Sequence, residues 1–152
     1  MNKFTDKNQK GQFFTKNSSY ILQGFEKFIK GKDVSDPFAG GKDLMVWAKQ
    51  HGASRVVGFE IDKKLVDNKT IFENDSLNNP KTYKFVITNP PYLHKNKANK
   101  ETKDECFTDA NKYFEDLYQI SIYSILNSEE GILIVPLNGL AFTVSLRPPS
   151  QK

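Results

Sequence analysis

Asn89-Pro90-Pro91-Tyr92 is the stretch of this sequence with the clearest capacity for chemistry. Two successive prolines fix their own φ and restrain the residues before them, so the segment must form a stiff corner. Such a corner holds the Asn89 side-chain oxygen and the Pro90 carbonyl as preset hydrogen-bond acceptors, with Tyr92 beside them as an aromatic plate. A plain proline-stiffened loop would account for Pro90 and Pro91, but not for the amide before them or the aromatic after.

Three acidic segments precede that corner. In Asp36-Pro37-Phe38-Ala39-Gly40-Gly41-Lys42, the small residues Gly40 and Gly41 let a ligand approach the backbone. The helix expected next offers free amides to an anionic group; an ordinary strand-to-helix turn fits equally well. In Gly58-Phe59-Glu60-Ile61-Asp62, Glu60 lies about 20 residues beyond the glycine turn, the spacing at which an acid accepts ribose hydroxyls in nucleoside-binding folds. Its plain reading is a solvated carboxylate at a strand end. Asp75-Ser76-Leu77 offers a carboxylate to the amine of a bound adenine ring, or simply an Asx turn. After the corner, Lys95, Lys97, Lys100 and Lys103 suit phosphate contacts with a salt-sensitive affinity, or a solvated loop.

The elements that must position these residues alternate in type. A helix is expected from Asn17 or Ser18 to Lys30, with Ile21, Phe25 and Phe28 on one face and Gly31 as its stop. Strands are expected at Asp33–Phe38, Arg55–Ile61, Thr70–Asn74, Lys84–Thr88 and Ile132–Val135. Between them come a helix from Asp43 ended by Gly52, a short helix at Lys63–Asn68, a charged loop at Lys95–Lys103 and a long helix at Asp109–Asn127. Phe142–Leu146 can supply one further strand. Alternation of this kind implies a doubly wound, mostly parallel α/β sheet, whose ligands bind at the carboxyl ends of the strands. Each segment singled out above follows a strand.

The bulk composition narrows the classes. The chain has 152 residues, 38% hydrophobic and 26% charged, enough apolar material for one core. No apolar run reaches the roughly 20 residues of a spanning helix, and the polar start has no signal-peptide segment, so a cytoplasmic protein without membrane association is expected. One cysteine, Cys106, and two isolated histidines exclude an intrachain disulfide and argue against a metal cluster. The net charge of +4 is compatible with a polyanionic partner without requiring one.

Taken in order, the motifs resemble those of bacterial adenine-specific amino-methyltransferases from restriction–modification systems. Gly11-Gln12-Phe13-Phe14-Thr15 resembles the N-terminal motif that closes over the methionine end of the cofactor. Asp36–Leu44 resembles the glycine motif, Glu60 the ribose acid, Asp75 the adenine acid, and Asn89–Tyr92 the catalytic motif without substitution. Asp116-Leu117-Tyr118 and Gly131–Leu140 resemble the two motifs that follow. The resemblance implies a Rossmann-like fold and S-adenosylmethionine as cofactor. It implies a cofactor set of Thr15, Asp36, Phe38, Gly40, Gly41, Glu60, Ile61, Asp75 and Ser76, and a catalytic set of Asn89, Pro90, Pro91 and Tyr92. The implied reaction is N(6)-methylation of an adenine flipped out of double-stranded DNA.

Two departures stand out. Lys42 replaces the usual third glycine of the glycine motif, where it either pairs with the cofactor's carboxylate or weakens binding by its bulk. The segment after Leu137 is too short for the family's remaining strands and its target-recognition region. The expected organisation is an arm at 1–16, a partial catalytic domain at 17–146 and a tail at 147–152. A C-terminal fragment or specificity subunit would then complete the protein. The same catalytic corner also serves methylation of a protein glutamine amide or an RNA amine. A non-catalytic fragment is the remaining alternative.

Overall fold

The computed structural model describes residues 17–135 and the backbone of 141–145. Six strands form one sheet: β1 (Asp33–Asp36), β2 (Arg55–Glu60), β3 (Ile71–Glu73), β4 (Phe85–Thr88), β5 (Glu130–Ile134) and β6 (Ala141–Ser145), in the order β3-β2-β1-β4-β5-β6. The first five are mutually parallel, and β6 runs antiparallel along β5. The chain starts at β1, winds outward to β3, then crosses back to β4, so the order reverses between β1 and β4. That reversal is the switch point where doubly wound sheets bind ligands.

Alternate side chains of the central strands enter opposite layers, as the period-two geometry of a strand requires. Val34, Phe85, Ile87, Ile132 and Ile134 face a core closed by Leu22, Ile29, Leu44 and Trp47. Val86 and Leu133 face the other side, against Ile125 and Tyr83. Helix α3 (Asp43–Gln50) buries Leu44, Trp47 and Ala48 at the expected helical spacing and is followed by Gly52 at φ +90°. It packs so closely that a Cβ on Gly58 would lie 2.5 Å from Met45 Sδ and 2.8 Å from Ala39 Cβ.

Four expected elements differ from those observed. The helix expected over Asn17–Lys30 is two single turns, α1 (Ser18–Ile21) and α2 (Glu26–Ile29), separated at Gly24 with φ +91°. The fully buried residues of this segment are Leu22 and Ile29, whereas Phe28, expected inward, is exposed. Lys63–Asn68 is not helical; the Asp67 carboxylate accepts the amides of Lys69, Thr70 and Ile71 and turns the chain into β3. The expected loop Lys95–Lys103 holds a 3-10 turn (Lys95–Lys97) and α4 (Lys100–Cys106), capped by Asn99 Oδ1 accepting from Thr102 N at 2.9 Å. The long helix shrinks to α5 (Leu117–Ile125), because Asp116 and Gln119 form a capping box that starts it there. Tyr113, expected on its apolar stripe, is 84% exposed. The motif Gly11–Thr15, with Thr15 of the cofactor set, and the tail at 147–152 lie outside the described residues. So does the half of the segment Gly131–Leu140 beyond Val135.

Candidate active site

The carboxyl ends of four adjacent strands are stitched together by hydrogen bonds. At the switch point, Thr88 Oγ1 donates to Asp36 Oδ1 at 2.7 Å, joining the last residue of β4 to the last residue of β1. The same oxygen accepts from Phe38 N at 3.0 Å, so Asp36 also turns its own loop. Both side chains are buried, Asp36 at 1% exposure. Burial pushes the Asp36 carboxyl up to about 7; the bonds from Thr88 and Phe38 pull the other way, and the charge of Glu60 adds to the rise. Asn89 follows Thr88 directly, with its Oδ1 buried, and Pro90 is buried behind it. Pro91 and Tyr92 are half-buried.

Glu60 ends β2 and ties three segments. Its Oε2 accepts from Gly40 N at 2.9 Å, and its Oε1 accepts from the amides of Ile61 and Asp62, each at 3.0 Å. Its backbone carbonyl accepts from Asn74 N at 3.0 Å, which carries the chain of contacts to the end of β3. Gly40 reaches Glu60 with φ +52°, a conformation that favours glycine. A carboxylate has room for about four donors. At 4% exposure, then, Glu60 already shapes the glycine turn with most of its acceptor capacity. Ile61, next to it, is exposed at the strand tip.

At the third tip, Asp75 makes the Asx turn that its sequence allows: Oδ1 accepts from Leu77 N at 3.1 Å and Asn78 N at 3.2 Å. Ser76 is buried and accepts from Asn74 Nδ2 at 3.1 Å. The segment after the proline corner folds back beside this tip. Leu93, Ala98, Cys106 and Phe107 pack with Leu77 and with Leu117 of α5. Burial, and the charges of Asp75 and Glu105, raise the Cys106 thiol to about 11, which keeps it protonated near neutral pH. The corner itself is pinned from behind, where Asp116 Oδ1 accepts from Leu93 N at 3.0 Å.

The structure therefore gathers Asp36, Gly40, Glu60, Ile61, Asp75, Ser76 and Asn89 at one end of the sheet. It treats the lysines differently. Lys42 adopts φ +71°, the left-handed conformation that explains a glycine preference at this position, and its Nζ pairs with Asp67 Oδ2 at 2.6 Å. That ion pair holds the Asp67 carboxyl far below the usual carboxylate range. Lys95 lies over the Phe107 ring and Lys100 pairs with Asp104 along α4, while Lys97 is exposed and Lys103 half-exposed. Thr88, Asp67 and Asn74 were not singled out in the sequence, and Asp116 only as part of a motif after the proline corner. Of the first three, Thr88 alone carried a usable signal, as a hydroxyl immediately before that corner.

No protein-family model matches the sequence, and no curated protein matches it. The architecture is nonetheless that of the Rossmann-like methyltransferases. Among solved structures, the chain is similar to PH1948 of Pyrococcus horikoshii, provisionally described as an RNA methyltransferase, with TM-score 0.57, 20% identity, 86% of this chain covered and 66% of that one. It also aligns with an S-adenosylmethionine dependent methyltransferase of Mesorhizobium loti, with TM-score 0.41, 13% identity and coverage of 82% and 64%. The chain thus spans just under two thirds of the length of each.

Proposed function

We propose that this chain is the cofactor-binding and catalytic part of an enzyme that methylates the exocyclic amine of adenine in DNA, with S-adenosylmethionine as donor. What carries the reading is the hydrogen-bonded seam that brings the Asn89–Tyr92 corner to the same sheet end as the glycine turn and Glu60. The donor set suits the cofactor. Asp36 is a buried carboxylate whose hydrogen bonds from described residues all fall on Oδ1, leaving Oδ2 for an ammonium. In this reading Glu60 and Ile61 serve the ribose and one face of the adenine ring. Asp75 serves the adenine amine of the donor.

An aromatic amine is a poor nucleophile because its lone pair is delocalised into the ring. Asn89 Oδ1 and the Pro90 carbonyl accept the two amine protons and so localise that pair on nitrogen. Bound S-adenosylmethionine supplies a sulfonium methyl group that an amine displaces in line. Held by Asp36, Glu60 and Asp75, the donor would give up its methyl group and leave as the neutral thioether, and the methylated amine would lose one proton to solvent. The chain's contribution is positioning and fixed dipoles. Extruding the base from the duplex costs a few kcal/mol, which stacking on Tyr92 partly offsets.

The likeness to the Pyrococcus horikoshii protein supports a second reading, methylation of an amine in RNA. Incubating the chain with methyl-labelled donor and equal amounts of duplex DNA, RNA and a glutamine peptide separates the readings. Label is expected in DNA adenine, at N6. Asn89→Ala is expected to lower transfer by at least about 100-fold while leaving donor affinity within a few-fold. Label in RNA alone selects the second reading, and no label in any substrate leaves a binding fragment without catalysis.

A further inference from the structure

Of the residues at the site, Thr88 is the one that joins its two halves. It is fully buried at the end of β4, one residue before the catalytic corner, and its hydroxyl donates to Asp36 on the neighbouring strand across the switch point. Buried polar groups need partners, but Thr88 at the carboxyl end of an otherwise apolar Phe85-Val86-Ile87 strand would be matched in volume by valine. A hydroxyl there is costly to bury for packing alone. Its placement makes sense as a donor to the carboxylate.

We propose that Thr88 is a positioning residue: by donating to Oδ1 of Asp36 it keeps that carboxylate anionic and turns Oδ2 toward the cationic amino-acid end of the methyl donor. This inference rests on the donor proposed above. The Asp36 carboxyl, held near neutrality by burial, is a group whose charge one hydrogen bond can decide. Among the described residues, the groups that face it are Thr88 from β4, the Phe38 amide from its own turn, Glu60 from β2 and Tyr83 from the segment before β4. Burial raises the Tyr83 phenol above its ordinary value, so it stays neutral across the relevant range. Removing the Thr88 donor pushes Asp36 toward its neutral form, which has no charge to offer an ammonium.

The test is calorimetric binding of two probes between pH 6 and 9. S-adenosylhomocysteine carries the amino-acid end, and 5′-methylthioadenosine lacks it. For the unaltered chain, affinity for the first probe is expected to weaken about tenfold from pH 8 to pH 6 as Asp36 takes up its proton. Affinity for the second is expected to stay flat. In Thr88→Val the fall is expected to begin at higher pH, with affinity for S-adenosylhomocysteine several-fold weaker at pH 7.5 and that for 5′-methylthioadenosine unchanged. Thr88→Ser is expected to restore the original profile. Should Thr88→Val fail to fold by its melting curve, Thr88→Ala is read in the same way.

A valine or alanine variant with the unaltered profile, or two probes with the same pH dependence, overturns the inference while leaving the proposed function standing. A chain that binds neither probe at any pH overturns both.

Discussion

Asp36 and Glu60 are two carboxylates at neighbouring strand ends, both nearly excluded from solvent, yet the fold handles them in opposite ways. Glu60 accepts three backbone amides and closes the glycine turn onto β2. Asp36 receives one amide and one hydroxyl, both on the same oxygen, and its carboxyl is pushed up to about 7. Burial alone does not decide what a carboxylate does; the number and placement of donors does. Glu60 shapes the glycine turn with most of its acceptor capacity. Asp36 takes both of its donors on one oxygen and holds its charge only marginally.

The sharpest way to break this contrast is Asp36→Asn. Because the folded chain holds the Asp36 proton more tightly than the unfolded chain does, ionisation opposes folding. That penalty grows as pH rises from about 4 to about 7, is full above it, and is absent below both values. The asparagine oxygen can keep both donors, so the variant is expected to be more stable than the unaltered chain at pH 8, by up to about 4 kcal/mol, with the two converging near pH 4. It is also expected to lose affinity for S-adenosylhomocysteine. Equal melting temperatures at pH 8 would show that the buried charge carries no penalty.

Glu60→Ala should move in the other direction. Leaving the amides of Gly40, Ile61 and Asp62 without their acceptor is expected to cost about 3 kcal/mol and to weaken donor binding with it. Denaturant titration at pH 7 reads the first effect. A loss of affinity at unchanged stability would give Glu60 a purely ligand-facing role and erase the contrast. The smallest effect is expected at Lys42. Lys42→Gly relieves a left-handed lysine, worth about 1 kcal/mol, and gives up a partly exposed ion pair worth less than that. Stability should therefore rise by less than about 1 kcal/mol, and a fall of more than that would make the Asp67 pair a structural clamp.

The strands were legible because their apolar runs are short, bounded by glycine, proline and acids, and too dense for anything but a buried sheet. Val86-Ile87 and Ile132-Leu133-Ile134 could hardly be placed elsewhere. The helices were less so. A period of 3.6 over Asn17–Lys30 does not reveal that the helix breaks at Gly24, nor that Leu22 and Ile29 are buried while Phe28 is exposed. Nor does the charge of Lys95–Lys103 reveal a helix that gains its place by packing Cys106 and Phe107 against Leu77 and Leu117. At the site, glycine, acid and proline-corner spacings were visible because local backbone demands dictate them. The partner of Lys42 was not, since Asp67 comes within reach only once the loop before β3 has closed on its own carboxylate.

By itself, the sequence determined that strands and helices alternate and that each chemically capable segment follows a strand, because periodicity, turn residues and proline stiffness act over a few neighbours. Tertiary structure alone decided which acids meet which donors. Asp36 and Thr88 stand 52 positions apart and touch only because β1 and β4 are adjacent at the reversal of strand order. A contact of that range is a property of the sheet, and no local pattern encodes it.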